Sequence, residues 1–296
     1  MKKGIIALII VASALTITGG VLIGVAASRG GFNSETVNHE YIKEESFSKI
    51  KIDTTVSDVT FKPSEDDKTK VVLVEKEKLY HNVTVSEDTL KITQVDELRF
   101  YEKWFGYSSG LKFTVYLPSS TYDDLNIKCN TGDIKIDDAF TFNNVTIDID
   151  TGDVDFAKVN MINKIKVSSS TGHIKLKEFT YGTAELKTST GRVQLKDAIG
   201  GATSINTSTG SVTLTSTVIT GHLDIKCSTG DVEFTNSDAT TIKIDTSTGD
   251  ISGNLLTGKT FDAHSGTGHV HVPSTTGGSC EIHTSTGDID ITVSAA

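Results

Sequence analysis

The chain has 296 residues, with 38 acidic residues against 28 basic ones and a formal net charge of −10 at pH 7. This length is sufficient for one or two domains, and 26 glycines beside only 3 prolines are typical of regularly repeated turns. The acidic balance argues against nucleic acid as a partner, because binding a polyanion requires clustered Lys and Arg side chains.

The first predicted element is an apolar stretch over residues 4–27, which follows Lys2 and Lys3 and precedes Arg29. At about 1.5 Å per residue, a helix of this length crosses a bilayer core of about 30 Å. The lysines predict a single-pass membrane protein with residues 1–30 as the anchor, a cytoplasmic N-terminus and an extracellular C-terminal domain. The competing interpretation is a signal peptide cleaved at Ala27 and a secreted protein; the usual apolar core of such a peptide, about 7–15 residues, is shorter, which favours the anchor.

The exported part is more acidic than the whole chain. Removing Lys2, Lys3 and Arg29 leaves 25 basic against 38 acidic residues, a formal charge of −13. This charge argues against direct binding of anionic wall polymers or lipid headgroups.

Residues 31–120 resemble an irregular version of the repeat that follows them. Ile50, Ile52, Val59 and Phe61 alternate with polar residues, and Ser57 stands where the later copies have glycine. A solenoid needs atypical end units to cover its core. We therefore interpret 31–120 as degenerate rungs and an N-terminal cap.

An aromatic cluster interrupts this segment, with five of the 20 aromatic residues of the chain at Phe100, Tyr101, Trp104, Phe105 and Tyr107. If exposed, these rings form a binding site for a glycan, a partner protein or the membrane surface. The alternative, which we favour, is that they cover the open end of the core.

Residues 121–296 contain a Thr-Gly pair nine times at intervals of 19 or 20 residues, with the turn glycines Gly132, Gly152, Gly172, Gly191, Gly210, Gly230, Gly249, Gly268 and Gly287. Apolar residues recur at fixed positions on both sides of the glycine and alternate with polar ones, as in strands with one buried face. One rung cannot enclose a core, but rungs stacked in chain order about 4.8 Å apart bury a continuous apolar column. The sequence therefore predicts an all-β, single-chain parallel β-solenoid whose length variation lies in the loops after the second strand.

Two sets of side chains are candidates for chemistry. The residue after the glycine is most often Asp, and Asp133 on Asp153 or Asp231 on Asp250 could hold Ca²⁺ or act as acid and base. A solvated turn position that favours Asp is the preferred explanation. Four histidines near the end are a weaker candidate for a transition-metal site, His264 stacking on His283 and His269 sharing a strand face with His271. No cofactor is predicted.

The three cysteines are predicted to be free. Cys129 and Cys227 share one repeat position but lie five rungs apart, about 24 Å, whereas a disulfide requires Cα atoms within about 7 Å. Cys280 occupies a different, mostly apolar position.

The pattern resembles the bacterial putative-adhesin family of unknown function, the Toastrack-type β-strand repeat proteins. The likeness covers about residues 45–296 and rests on Ile50-Lys51-Ile52, Ser57-Asp58-Val59, Val115-Tyr116-Leu117-Pro118, Leu125-Asn126-Ile127 and the Ser-Thr-Gly-Asp series that ends at Asp288. The resemblance implies a cell-surface location, often beside envelope-stress systems, and it supplies no catalytic residues.

The favoured hypothesis is a non-enzymatic surface scaffold or adhesin-like protein, in an envelope-stress response, with an envelope protein or surface component as its partner. A β-helix carbohydrate-active enzyme predicts a cleft with perturbed carboxylates, and a purely structural spacer predicts neither cleft nor partner. A small-molecule substrate is not expected, because no copy of the repeat groups the carboxylate, Arg and Lys of a lyase site.

Overall fold

The computed structural model describes residues 36–99 and 110–294, and this part of the chain consists of 23 β-strands and contains no helix. It is an all-β parallel β-solenoid, as the repeat predicts. No helix suited to crossing a bilayer occurs among these residues. The apolar stretch 4–27, with Ala27, lies outside the described residues.

Seven strands precede the regular repeat: β1 (Thr36–Lys43), β2 (Lys49–Val56), β3 (Asp58–Pro63), β4 (Thr69–Lys76), β5 (Leu79–Ser86), β6 (Thr89–Asp96) and β7 (Lys112–Leu117). The strands β2 and β3 form one complete rung with Ser57 at its corner. Beyond that rung, β6 pairs parallel with β2 and β7 pairs parallel with β3. The antiparallel strands β5, β4 and β1 then extend the two sheets away from the solenoid.

The regular part contains sixteen strands: β8 (Thr121–Thr131), β9 (Ile134–Asp137), β10 (Thr141–Thr151), β11 (Val154–Ala157), β12 (Asn160–Thr171), β13 (Ile174–Thr190), β14 (Val193–Gly200), β15 (Thr203–Thr209), β16 (Val212–Thr215), β17 (Val218–Thr229), β18 (Val232–Thr248), β19 (Ile251–Leu255), β20 (Lys259–Thr267), β21 (Val270–His271), β22 (Gly278–Thr286) and β23 (Ile289–Val293). The long strands β13 and β18 each combine the second strand of one rung with the first strand of the next.

The rungs stack in the register that the repeat predicts. Ile127 pairs with Ile147, and Ile147 pairs with Val167, so one column holds equivalent side chains from successive rungs. A single cluster of buried side chains runs from Ile50 to Ile291. The extra residues of the 20-residue copies fall at register shifts after the second strand, between Phe142 and Asn144 against β12 and between Ile219 and His222 against β18. The length variation thus follows the second strand, as predicted, but the shifts lie within β10 and β17 and not in loops.

The order of the last rungs differs from the chain order that we expected. The strand β22 pairs with β18 on one side and with β20 on the other, and β23 lies in the same way between β19 and β21. The corner glycines agree, because Gly249 donates its N–H to Thr286 while Gly287 donates to Thr267. The rung of Gly287 is thus inserted between the rungs of Gly249 and Gly268.

A buried ion pair explains this order. After Leu255 the chain passes the position of the inserted rung and forms the outermost rung, that of Gly268. Lys259 of this outermost rung contacts Asp238, with Nζ 2.7 Å from Oδ1. The inserted rung also has the more apolar inward residues, including Ile282, Ile289 and Ile291, as an interior position requires. Chain-order stacking of the final rungs was therefore a wrong prediction.

The first complete rung is also enclosed by later parts of the chain. The strand β2 lies between β6 and β8, and β3 lies between β7 and β9. The first complete rung and the last rung in the sequence, that of Gly287, therefore both have strands of other parts of the chain on each side.

Candidate functional site

The corner of each rung is built by the glycine of the Thr-Gly pair. Gly172 has a φ of 148°, and a Cβ added there would lie 1.9 Å from the carbonyl oxygen of Gly152 on the neighbouring rung. A residue with a side chain would be strained by the backbone angle and would also collide with that carbonyl. These glycines are structural, and they allow neighbouring corners to contact each other directly.

The aspartates after the glycines hydrogen-bond to neighbouring rungs. Asp133 Oδ1 accepts the backbone N–H of Asp153 at 2.8 Å, and Asp231 Oδ1 accepts that of Asp250 at 3.0 Å. His173 takes the same role, since its Nδ1 accepts the N–H of Arg192 at 2.9 Å. This bonding gives the aspartates a structural role on an exposed edge.

The histidines near the end of the chain are distributed over two faces. His264 and His283 pair directly on adjacent strands, as the repeat predicts. His269 precedes β21, with its N–H donated to Asp288 Oδ1 at 2.7 Å, and His271 pairs with Asp290. Nowhere in residues 36–99 and 110–294 do three or more His, Cys, Asp or Glu side chains come close enough to hold a metal ion.

The cysteines are free and buried, as predicted. Cys227 Sγ donates to the carbonyl of Gly210 at 3.3 Å, in the position where Thr207 donates to Gly191. Burial raises the pKa of Cys129 to about 11 and that of Cys280 to about 12. These thiols therefore act as small core side chains.

A polar cluster within the N-terminal cap was not predicted from the sequence. The carboxylate of Glu75 accepts hydrogen bonds from His81 Nδ1 at 2.8 Å and from His39 Nδ1 at 2.7 Å. On the other side of the ring, His81 Nε2 lies 3.1 Å from Ser57 Oγ and 3.3 Å from Thr54 Oγ1. We call these five residues the cap cluster.

The chain of Ser57, His81 and Glu75 has the connectivity of a nucleophilic triad, but its hydrogen bonds run differently. Ser57 Oγ donates to the carbonyl of Val56 at 2.6 Å, so its proton is not directed at His81. The side chains of His81 and Glu75 are each 1% exposed, and Ser57 is 1% exposed as a residue, so a substrate cannot reach them. The cluster therefore binds strands of the cap together.

The ionisation of Glu75 follows from these contacts. Burial alone would raise its pKa, but the hydrogen bonds from the His81 side chain, the His39 side chain and the His81 backbone outweigh burial and lower it. The sequence did contain a signal for the cluster, because Glu75 and His81 stand at inward positions of alternating strands beside Leu73 and Leu79.

The predicted aromatic site, Phe100, Tyr101, Trp104, Phe105 and Tyr107, lies outside the described residues. The segment that carries it joins β6 to β7, the two strands that lie on the outer side of the first complete rung. Its attachment points therefore belong to the N-terminal cap, at the end of the solenoid that also holds β1.

The comparisons with known proteins agree with this fold. The model of the Toastrack DUF4097 family matches residues 47–233 and 202–296. A solved structure described as a putative adhesin from Parabacteroides merdae has a TM-score of 0.52 at 13% identity, with 88% of this chain and 97% of that chain covered. A putative adhesin from Bacteroides fragilis has a TM-score of 0.44 at 18% identity, covering 88% and 98%. No curated protein matches the chain.

Proposed function

The chain belongs to the Toastrack DUF4097 family, and on this basis we propose that it is a non-enzymatic scaffold at the cell surface that binds an envelope protein or another surface component. A solved structure of similar fold is described as a putative adhesin, and we extend that surface role to this chain. The proposed setting is an envelope-stress response.

The observation that carries this proposal is the filled interior of the solenoid. One cluster of buried apolar side chains extends from Ile50 in the first complete rung to Ile291 in the inserted rung. Because this interior is occupied by the chain itself, recognition takes place on outer surfaces and at the ends. A rigid, solid rod is suited to presenting such surfaces at a fixed distance from its attachment point.

The proposed attachment is the apolar stretch 4–27. The strand β1 begins at Thr36, so at most about 30 Å of extended chain separates the end of that stretch from the cap. The end of β6 at Asp96 and the start of β7 at Lys112, which flank the aromatic segment, belong to the same cap and would therefore lie near the membrane surface. Bulky rings interrupting an otherwise regular repeat are the preferred candidate for contact with a partner there.

The test is affinity capture from intact cells that carry the full anchored chain. We compare the wild type with Trp104→Ala combined with Phe105→Ala, and with Lys226→Ala on the regular outer face as a matched control. The proposal predicts a specific protein or surface component that is captured by the wild type and the control and is lost with the aromatic variant, while melting temperatures stay equal.

Two outcomes contradict the proposal. If nothing is captured specifically by the wild type, the purely structural spacer is the better interpretation. If the aromatic variant shows a steep fall in melting temperature and wild-type capture is undetectable, the rings serve only to close the core.

A further inference from the structure

The two ends of the solenoid are closed differently. At the N-terminal end, the antiparallel strand β4 pairs with the parallel strand β7 and extends the sheet over the core. At the other end, β20 pairs with β22 and has no strand on its outer side anywhere in residues 36–99 and 110–294. The outermost rung therefore ends in a free strand edge nine residues long.

The side chains of this edge show that the core is incompletely covered. The inward residues Phe261 and Ala263 are only partly buried, whereas their partners in β22, Cys280 and Ile282, are buried. Val270, in the short strand β21, is 43% exposed. Natural edges are usually blunted by proline, exposed lysine or a bulge. The edge strand β20 contains no proline, and its single lysine, Lys259, is turned inward to Asp238.

The polar side chains on the outer face of β20 are complementary to a reversed copy of the same strand. Asp262 and His264 are exposed and lie on either side of Ala263. If two copies of β20 pair antiparallel with Ala263 opposite itself, Asp262 of each copy lies opposite His264 of the other. The carboxylate of Asp262 can accept a hydrogen bond from a ring nitrogen of the histidine directly opposite it.

We propose that a second copy of this chain docks on this edge, with β20 antiparallel to β20 and a two-fold axis through Ala263. The axis is perpendicular to the sheet, so the inward faces of both copies stay on the same side and the two apolar columns become continuous. Phe261 is then covered by the other copy. The inference rests on the proposed function only in that it names the partner of the scaffold at this end.

The N-terminal end is a poorer partner for the same edge. There, β1 is the outer strand of one of the two sheets, and most of its side chains are exposed, with Val37 41% and Ile42 56% exposed. The strand β1 has no partly exposed apolar face that the end of a second solenoid could cover. Pairing of β20 with β1 would also repeat without closing and would produce filaments, whereas the two-fold contact stops at two copies.

Disulfide trapping with the purified full chain tests the register. Asp262→Cys and His264→Cys are prepared separately, oxidised alone and then oxidised as a mixture; the native cysteines are buried. In the proposed register, positions 262 and 264 of the two copies are directly opposite, whereas two cysteines at 262 lie on a diagonal, about 7–8 Å apart. The mixture should therefore cross-link several-fold more than either variant alone.

Sedimentation of the full chain over a range of concentrations tests the pairing of Asp262 with His264. Asp262→Lys should weaken self-association about tenfold, because both carboxylates that accept hydrogen bonds from the opposite histidines are lost. Exchanging both residues, as Asp262→His with His264→Asp, should restore it. The matched control is Asp148→Lys, the same charge change at an exposed position of β10, which lies between β8 and β12 and away from the β20 edge.

The inference is overturned if the wild type stays monomeric, if assemblies grow beyond two copies, or if the mixture cross-links no better than the single variants. If Asp262→Lys no longer self-associates but still captures a different partner in cells, the scaffold function holds without the dimer. If the pure chain self-associates but captures nothing in cells, the dimer holds and the proposed envelope partner is contradicted.

Discussion

The ammonium group of Lys259 lies 2.7 Å from the carboxylate of Asp238, and the two side chains are only 4% and 9% exposed. Asp238 also accepts hydrogen bonds from the backbone N–H of Ala239 and from Thr257 Oγ1. The pair joins the outermost rung to a rung two positions below it, across the inserted one, and so specifies the order of the last three rungs.

Removing one partner of this pair should be costly. We expect Lys259→Met to reduce the free energy of unfolding by about 3 kcal/mol, because it leaves the Asp238 carboxylate buried without its counter-charge. Combining Lys259→Met with Asp238→Asn should recover most of the loss. The control is Lys226→Met, which removes an exposed lysine 3.7 Å from Asp224. Denaturant unfolding measures all three, and equal stabilities of Lys259→Met and the control would contradict the buried ion pair.

The apolar column should be sensitive to charge at an inward position and tolerant of it one residue away. Ile244 lies between Ile225 and Ile282 and is fully buried, so Ile244→Asp should reduce stability by several kcal/mol, on the order of 4. Lys243→Asp should be milder, because the Lys243 side chain is 41% exposed, and the substitution costs a surface ion pair with Glu281 and some repulsion from Asp224 and Glu281 on the neighbouring strands. Equal shifts in melting temperature would contradict the assignment of the two faces.

The cap cluster predicts how stability changes with pH. The pKa of Glu75 is lower in the folded chain than its ordinary value of 4.5. The folded state therefore holds the proton more weakly than the unfolded state, and the contribution of Glu75 is complete above pH 4.5 and lost as the pH falls through the lower, folded value. We expect the acid-induced loss of stability to be smaller in Glu75→Gln than in the wild type.

Glu75→Gln should also lower stability at pH 7, because the hydrogen bonds from His39 and His81 lose their charged acceptor. Glu233→Gln, at an exposed position of β18, is the matched control. Unfolding curves measured from pH 3 to pH 7 distinguish the variants, and parallel pH profiles for wild type and Glu75→Gln would contradict the proposed linkage.

The three thiols should be present but slow to react. Titration of the unfolded, unreduced protein should count three free thiols. In the folded protein at pH 8, reaction should be much slower than for an exposed cysteine, because burial raises the pKa of all three thiols and limits access to the reagent. Fewer than three thiols in the unfolded monomer would show that the rung spacing is incorrect.

The sequence predicted the structural features that are determined within a single rung or by the regular stacking of equivalent rungs. The corner at Gly152, the column of Ile127 and Ile147, and the free state of Cys129 and Cys227 all follow from a repeat whose local pattern determines its own shape. The order of the last rungs does not follow in this way, because every rung has the same pattern of strands. The observed order depends on a contact over long distance, that of Lys259 with Asp238, and on the apolar inward residues of the inserted rung.

The cap cluster was missed for a related reason. His81 and Glu75 stand at inward positions of β5 and β4, which marks each of them as unusual. Alternation within single strands does not show that the two strands bring these side chains together against Ser57 of another rung. A polar residue at an inward position was a usable signal that a partner existed, but it did not identify the partner.

The inserted rung also has a consequence for how the protein is made. Among the strands of the described residues, β20 pairs with β22 alone, and β22 is synthesised after it. Rungs up to that of Gly249 can add to the growing stack one at a time as the chain emerges, but the rung of Gly268 cannot take its observed position until the residues up to Ile291 are available. The far end of the rod therefore closes in one late, cooperative step, and a chain interrupted during synthesis or export is left with two unfinished rungs rather than one.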